Sequence, residues 1–319
     1  MTDTTKRILF MGTPDIAATC LSALTDAGYR VVGAVCQPDK PKGRGYTLQP
    51  PPVKVRALEL GIPVFQPETL KDGAFDATLK ELAPDLVAVV AYGKILPPSL
   101  IHFPAYGCVN VHASLLPKYR GAAPMQRAII DGEAETGVTT MLMDEGLDTG
   151  DMLLVESFPI GEEDNFETVH DRTATLGGKL LCRTVEGLFA GTLTPIPQPE
   201  GATYAAKITK EDCLLDLTRP AKALAAQVRG LSPIPLSYTT LPDGRLLKVA
   251  AAHVAEGTGE CGRVIAVSDK GEGGITVATG DGAIVLTKVK PEGKGLMTAA
   301  DLLRGRRIAL GDLLGGSTL

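Results

Sequence analysis

Asn110 and His112 stand two residues apart in Cys108-Val109-Asn110-Val111-His112, an apolar, β-branched run of the kind that builds buried strands. Alternate side chains on a strand share a face. An amide and an imidazole are therefore set side by side where the strand breaks into a loop carrying Pro117 and Gly121. An amide can donate to an oxygen that gains negative charge, and an imidazole can exchange a proton near neutral pH. Asp148, in the glycine-bounded turn from Asp144 to Asp151, offers a carboxylate to orient that imidazole or to act as a base. Taken singly, His112 reads as well as a satisfied structural histidine, and Asp148 as a turn former. Their combination at a strand exit favours a site. No serine or cysteine nucleophile is set beside a base, which favours direct transfer between two bound substrates over a covalent intermediate.

Other chemistries find less support. Cysteines at 20, 36, 108, 182, 213 and 261 show no C-x-x-C, and histidines at 102, 112, 170 and 253 show no H-E-x-x-H, so no metal site is expected. The acidic turn does not match the calcium-loop spacing. Met11-Gly12-Thr13-Pro14 lacks G-x-G-x-x-G, which counts against NAD. Net charge is −5, but residues 208–319 carry 14 Lys/Arg against 12 Asp/Glu. Lys40, Lys42 and Arg44 cluster in a Pro- and Gly-rich stretch from Gln37 to Pro52, expected to be a long loop. It could meet a polyanion, or be only a solvated loop.

These residues need a scaffold. Lys6–Gly12, a helix over Pro14–Ala27 and a strand over Arg30–Cys36 make a β-α-β start, which implies a parallel sheet with right-handed crossovers. Strands are expected at Ile62–Phe65, Asp85–Tyr92, Thr136–Met143 and Met152–Pro159, and helices at Val53–Leu60, Phe75–Leu82, Pro124–Asp131 and Asn165–Phe189. The fold class is therefore α/β, Rossmann-like, mainly parallel with helices on both faces. Pro195, Pro197 and Pro199 predict an extended, semi-rigid spacer. After it, five short strands with hairpin turns at Asp243-Gly244 and Asp281-Gly282 predict a small, OB-like β-barrel. The expected domains are 1–192, a proline-rich linker 193–206, and 207–319. No apolar run is long enough to span a bilayer and no apolar signal core opens the chain, so a cytoplasmic protein is expected.

Two stretches carry a resemblance. Val109–His112 with Ser114-Leu115-Leu116-Pro117-Lys118-Tyr119-Arg120-Gly121-Ala122, and Gly137 through Met152, closely resemble the two signatures of the 10-formyltetrahydrofolate-dependent formyltransferases. Gly12-Thr13-Pro14, Gln37-Pro38-Asp39-Lys40-Pro41, Gly43-Arg44-Gly45, Ala202–Glu211 and Gly295–Gly315 resemble the branch whose acceptor is methionyl initiator tRNA. Ser232–Tyr238 departs from the family's usual Asn-Pro-Trp-Pro-Gly, and the chain has no tryptophan.

The resemblance implies an enzyme of translation initiation that moves a formyl group from 10-formyltetrahydrofolate, a consumed co-substrate, to the amino group of methionyl initiator tRNA. No metal and no NAD are implied. Asn110, His112 and Asp148 would be catalytic, Ser114, Leu115, Leu116 and Pro117 would line the folate cleft, and Lys40, Lys42 and Arg44 would touch tRNA. The barrel would bind tRNA, and a monomer without membrane contact is expected. A formyltransferase for an amino-sugar nucleotide, a non-enzymatic folate- or RNA-binding module, and a hydrolase releasing formate are the competing readings.

Overall fold

The computed structural model describes residues 5–42, 47–71, 73–270 and 273–316. The chain forms two compact units. The first runs through Pro124, then takes in Thr136–Phe158 and His170–Ala205; the second comprises Met125–Glu135, Pro159–Val169 and the chain from Ala206 onward.

In chain order the elements are β1 (Arg7–Gly12), α1 (Asp15–Asp26), β2 (Arg30–Val35), β3 (Lys40–Lys42), β4 (Thr47–Gln49), α2 (Pro52–Glu59), β5 (Val64–Phe65) and α3 (Asp76–Leu82). They continue as β6 (Leu86–Val90), α4 (Pro98–Ile101), β7 (Cys108–His112), β8 (Arg120–Gly121), α5 (Pro124–Ile130), β9 (Glu135–Leu142), β10 (Met152–Pro159), α6 (Phe166–Phe189) and β11 (Tyr204–Ala205). A seven-stranded sheet has the order β10-β9-β7-β6-β1-β2-β5. Its centre is parallel, while β9 runs antiparallel to β7. Near-continuous apolar runs such as Leu86–Val90 suit strands buried on both faces. Ile8, Phe10, Ala88, Val90, Val109 and Val111 pack with α1 and α6 residues in one cluster. Leu9, Met11, Val87, Val89 and Cys108 share the other with Leu79 of α3 and Leu100 of α4. Asn165 caps the α6 start: Thr168 N donates to its Oδ1 at 3.0 Å.

The second unit adds α7 (Ala221–Gly230), β12 (Ser237–Thr240), β13 (Leu246–Ala255), β14 (Val264–Val267), β15 (Ile275–Ala278), β16 (Ala283–Pro291), β17 (Met297–Thr298) and α8 (Ala299–Arg304). Its antiparallel, barrel-like sheet has the order β12-β13-β16-β15-β14, with β17 on β16. It closes over Leu224, Val228, Val249, Ile275, Leu286 and Leu302. Leu236, where the family pattern has glycine, sits at φ +74°, in the left-handed region that side chains disfavour.

One expectation is corrected. Gln37–Pro52 is not an unbroken loop, because β3 and β4 pair antiparallel, with Lys40 opposite Gln49 and Pro41 opposite Leu48. Proline and lysine are poor strand formers, and this pairing overrides their local preference.

Candidate active site

β7 sits between β6 and β9, with Asn110 opposite Val89 and Met141, and His112 opposite Thr139. Strand parity holds. Val109 and Val111 enter the α1/α6 core, while Cys108 faces the other side and Asn110 and His112 follow it there. Asn110 is half-buried, and its amide has no hydrogen-bond partner among the described residues. His112 is 5% exposed. Its Nε2 lies 2.9 Å from the Tyr119 carbonyl oxygen. A carbonyl only accepts, so Nε2 carries a proton and a second proton would go to Nδ1. Nδ1 lies 3.8 Å from Asp148 Oδ2.

The loop after β7 is tied to itself and to β9. Ser114 is fully buried, and its hydroxyl donates to Lys118 O at 2.6 Å. Thr139 Oγ1 donates to Ser114 O at 2.8 Å and accepts Leu116 N at 3.1 Å. Leu116 is 6% exposed, and a Leu115 methyl packs beside Gly137. Of these four residues, Pro117 and Leu115 keep partial exposure, whereas Ser114 and Leu116 shape the turn from within. Tyr119 holds φ +61° and exposes its carbonyl to His112.

Asp148 also has a left-handed backbone, at φ +53°. Asp tolerates that region better than most side chains. The turn before it closes through Asp144, whose Oδ1 accepts Gly146 N at 3.0 Å and Thr149 Oγ1 at 2.7 Å. Asp148 Oδ2 accepts the Gly121 amide at 2.8 Å. Gly121, at φ +112°, lies so close to Ala205 that a Cβ would stand 2.9 Å from its carbonyl oxygen.

A segment that sequence reasoning treated as a spacer belongs to this neighbourhood. Met152 and Ile196 exchange two backbone hydrogen bonds of 2.8 Å. Thr203 accepts Tyr119 N on its hydroxyl and Arg120 N on its carbonyl, and β11 pairs with β8 in parallel. Gln198 donates to the carbonyls of both Asp148 and Gly150 at 2.8 Å. Its Oε1 accepts Arg120 Nε and NH2 at 3.1 and 2.7 Å.

Lys40 is exposed on the β3–β4 hairpin; Lys42 lies on β3, and Arg44 falls outside the described residues. The hairpin's base is anchored. Lys54 Nζ donates to Asp39 Oδ2 at 2.8 Å, and Gln66 Nε2 to Asp39 Oδ1 at 2.7 Å. The Gln66 hydrogen bond, then Lys54, hold the Asp39 carboxyl below its ordinary range. Gln37 Nε2 and Thr13 Oγ1 both donate to Tyr92 O, at 3.1 and 3.0 Å. Burial pushes the Cys108 thiol up to about 12 and the Cys36 thiol up to about 11. Neither is a thiolate at neutral pH, which fits transfer without a sulfur nucleophile. Among the described residues no His, Cys, Asp and Glu cluster is arranged to hold a metal ion, and no helix is long and apolar enough to cross a membrane.

Comparison with known proteins bears on the same residues. A formyl transferase family profile matches residues 6–185, and a formyl transferase C-terminal domain profile matches 207–307. The methionyl-tRNA formyltransferase of Pelotomaculum thermopropionicum is 48% identical over 97% of this chain and 98% of its own. That of Symbiobacterium thermophilum is 50% identical over 96% and 94%. Among solved structures, HypX from Aquifex aeolicus in complex with tetrahydrofolic acid superposes with a TM-score of 0.65 at 18% identity. This covers 93% of the present chain and 46% of HypX, so the chain spans about half of that protein. An N-formyltransferase from Helicobacter canadensis, in complex with folinic acid and dTDP-3-aminofucose, superposes with a TM-score of 0.65 at 17% identity over 88% and 98%.

Proposed function

The chain belongs to the formyl transferase family, among its methionyl-tRNA formyltransferases, and from that premise we propose that it formylates the amino group of methionyl initiator tRNA from 10-formyltetrahydrofolate. One observation carries the catalytic reading. His112 has Nε2 committed to the Tyr119 carbonyl and Nδ1 turned toward Asp148, and it shares a strand face with the Asn110 amide, which has no partner among the described residues.

In the reaction the amine nitrogen bonds to the formyl carbon, and the bond from that carbon to N10 of the folate breaks. A protonated ammonium has no lone pair, so a base must take a proton before or during attack. Asp148 is that base in our reading, directly, through water or through His112. The carbonyl oxygen gains negative charge at the tetrahedral stage, where the Asn110 amide and a proton on His112 Nδ1 would stabilise it. With Nε2 held by Tyr119, only Nδ1 is available for exchange, which sets the direction of proton movement. Leu115 and Pro117 retain the exposure that contact with the folate requires. Lys40, Lys42 and Arg44 supply cationic contacts for tRNA phosphates, and the unit from residue 207 onward supplies a second tRNA surface. Translation initiation places the work in the cytoplasm, and the chain acts as a monomer. The amino-sugar alternative has weaker support, since the sugar N-formyltransferase described above is similar at 17% identity, a likeness of fold.

The test is single-turnover formyl transfer with charged initiator tRNA, an amino-sugar nucleotide or water as acceptor. Asn110→Ala, His112→Ala and Asp148→Ala should each lose about two to four orders of magnitude with the tRNA acceptor. Near-normal turnover for Asp148→Ala removes its assignment as base, and preferential formylation of the amino sugar removes the acceptor.

A further inference from the structure

Asp148 is held in the left-handed region at φ +53°, which carries a backbone cost for any residue but glycine. Such a conformation persists only when its surroundings over-determine it. Two groups do so, one at its side chain and one at its backbone. The Gly121 amide takes its carboxylate, and the Gln198 side chain takes its backbone carbonyl. Gln198 also binds the Gly150 carbonyl and, through Oε1, the side chain of Arg120, the neighbour of Gly121. One amide thus joins the turn that carries Asp148 to the strand that presents the carboxylate's backbone donor.

Its hydrogen-bonding capacity is fully used, since both N–H groups donate and the oxygen takes two guanidinium donors. Glutamate could hold Arg120 but could not donate to two carbonyls. Lysine or arginine could donate but could not accept from Arg120. Asparagine is a methylene short. Only glutamine satisfies all four contacts.

From this we propose that Gln198, in the segment joining the two sequence-matched regions, is a positioning residue that fixes Asp148 for proton transfer. The inference rests on the reading of Asp148 as base. Gln198 touches no reacting atom, so its effect is on geometry, and a displacement of about 1 Å at a reacting group is enough to cost about 10²-fold in rate.

The decisive experiment measures kcat, KM for tRNA and thermal unfolding for Gln198→Glu in the otherwise native full chain and in an Asp148→Asn background. Gln198→Glu keeps a partner for Arg120, and so the anchoring of the segment, while removing both donors. In the native background kcat should fall about 10- to 100-fold, with KM for tRNA nearly unchanged and the fold retained. In the Asp148→Asn background the same substitution should cost nothing further, because a misplaced base and an absent base are one defect. Should Gln198→Glu fail to fold, Gln198→Met, of similar length, removes the donors together with the Arg120 acceptor and is compared in the same two backgrounds. Native kcat in the variant, or an equal loss in both backgrounds, overturns the inference. Near-normal turnover of Asp148→Asn alone overturns the base assignment instead, so the two failures are distinguishable.

Discussion

Gly150→Ala should damage stability and turnover together. An ideal Cβ at Gly150 would lie 1.7 Å from the Leu142 carbonyl oxygen, 2.9 Å from its carbonyl carbon and 3.3 Å from Asp144 N. All three are backbone atoms, so no side chain can swing away. The end of β9 and the acidic turn must instead separate by more than about 1 Å before the contact becomes tolerable. The bond from Leu142 N to Asp151 O, 2.9 Å long, lies across that gap. Overpacking of this kind, with a ladder bond disturbed, costs about 2–4 kcal/mol. For a unit of this size that lowers Tm by about 5–15 °C. Asp148 is two residues away and its carbonyl shares the Gln198 amide with Gly150, so turnover should fall about 10²-fold. Gly295→Ala is the control, because nothing lies within 4 Å of its Cβ and its φ is unremarkable. It should be neutral or stabilising by about 0.4–1 kcal/mol through the unfolded chain. Calorimetry and single-turnover kinetics on both variants decide the matter. If Gly150→Ala melts within about a degree of the native protein and turns over normally, the close packing assigned to this turn is refuted.

The remaining predictions concern the second unit. Arg127 grips Asp212 at 3.0 and 2.9 Å, with both side chains about a quarter exposed. The Arg127 contact, aided by Thr209, lowers the Asp212 carboxyl from its ordinary 3.8. Its contribution is therefore present above that value and lost as pH falls through the lower folded one. Asp212→Asn should cost about 1–3 kcal/mol at pH 7 in urea titrations, and the gap to the native protein should close in strong acid. A gap that is constant with pH would contradict the ion pair. Thr298 caps α8 in a reciprocal box with Asp301; Thr298→Ala should lose about 0.5–2 kcal/mol, read as faster amide exchange confined to Ala299–Arg304. Unaltered exchange there would mean the cap does not stabilise the helix.

Much of the site's frame was legible from local rules. Parity along Cys108–His112 put Asn110 and His112 on one face because the strand is flanked by β6 and β9 and buried on the other side. Asp243-Gly244 announced a hairpin turn through residue types that the conformation selects, and Gly244 does take φ +82°. The contacts that brace Asp148 were not legible. Gly121 and Gln198 approach it from 27 and 50 positions away, and no periodicity encodes such pairs. A weaker signal did exist. Proline at 195, 197 and 199 removes the donors along one edge of an extended segment, leaving those of Ile196 and Gln198 along the other. Ile196 uses that edge against Met152. The alternation described a strand paired on one side as well as it described a spacer.

That pairing has a bearing on how the family can exchange parts. Residues 193–205 share hydrogen bonds with 119–123 and 148–152, so a change in either is felt by the other. A chimera of two relatives joined at 206 keeps this strap with the loops it braces and leaves only pairs such as Arg127 and Asp212 to be matched, whereas a junction at 192 sets a foreign strap against native loops. Recombination between relatives should therefore tolerate a cut after Ala205 better than one in the proline-rich stretch, where composition alone would invite it.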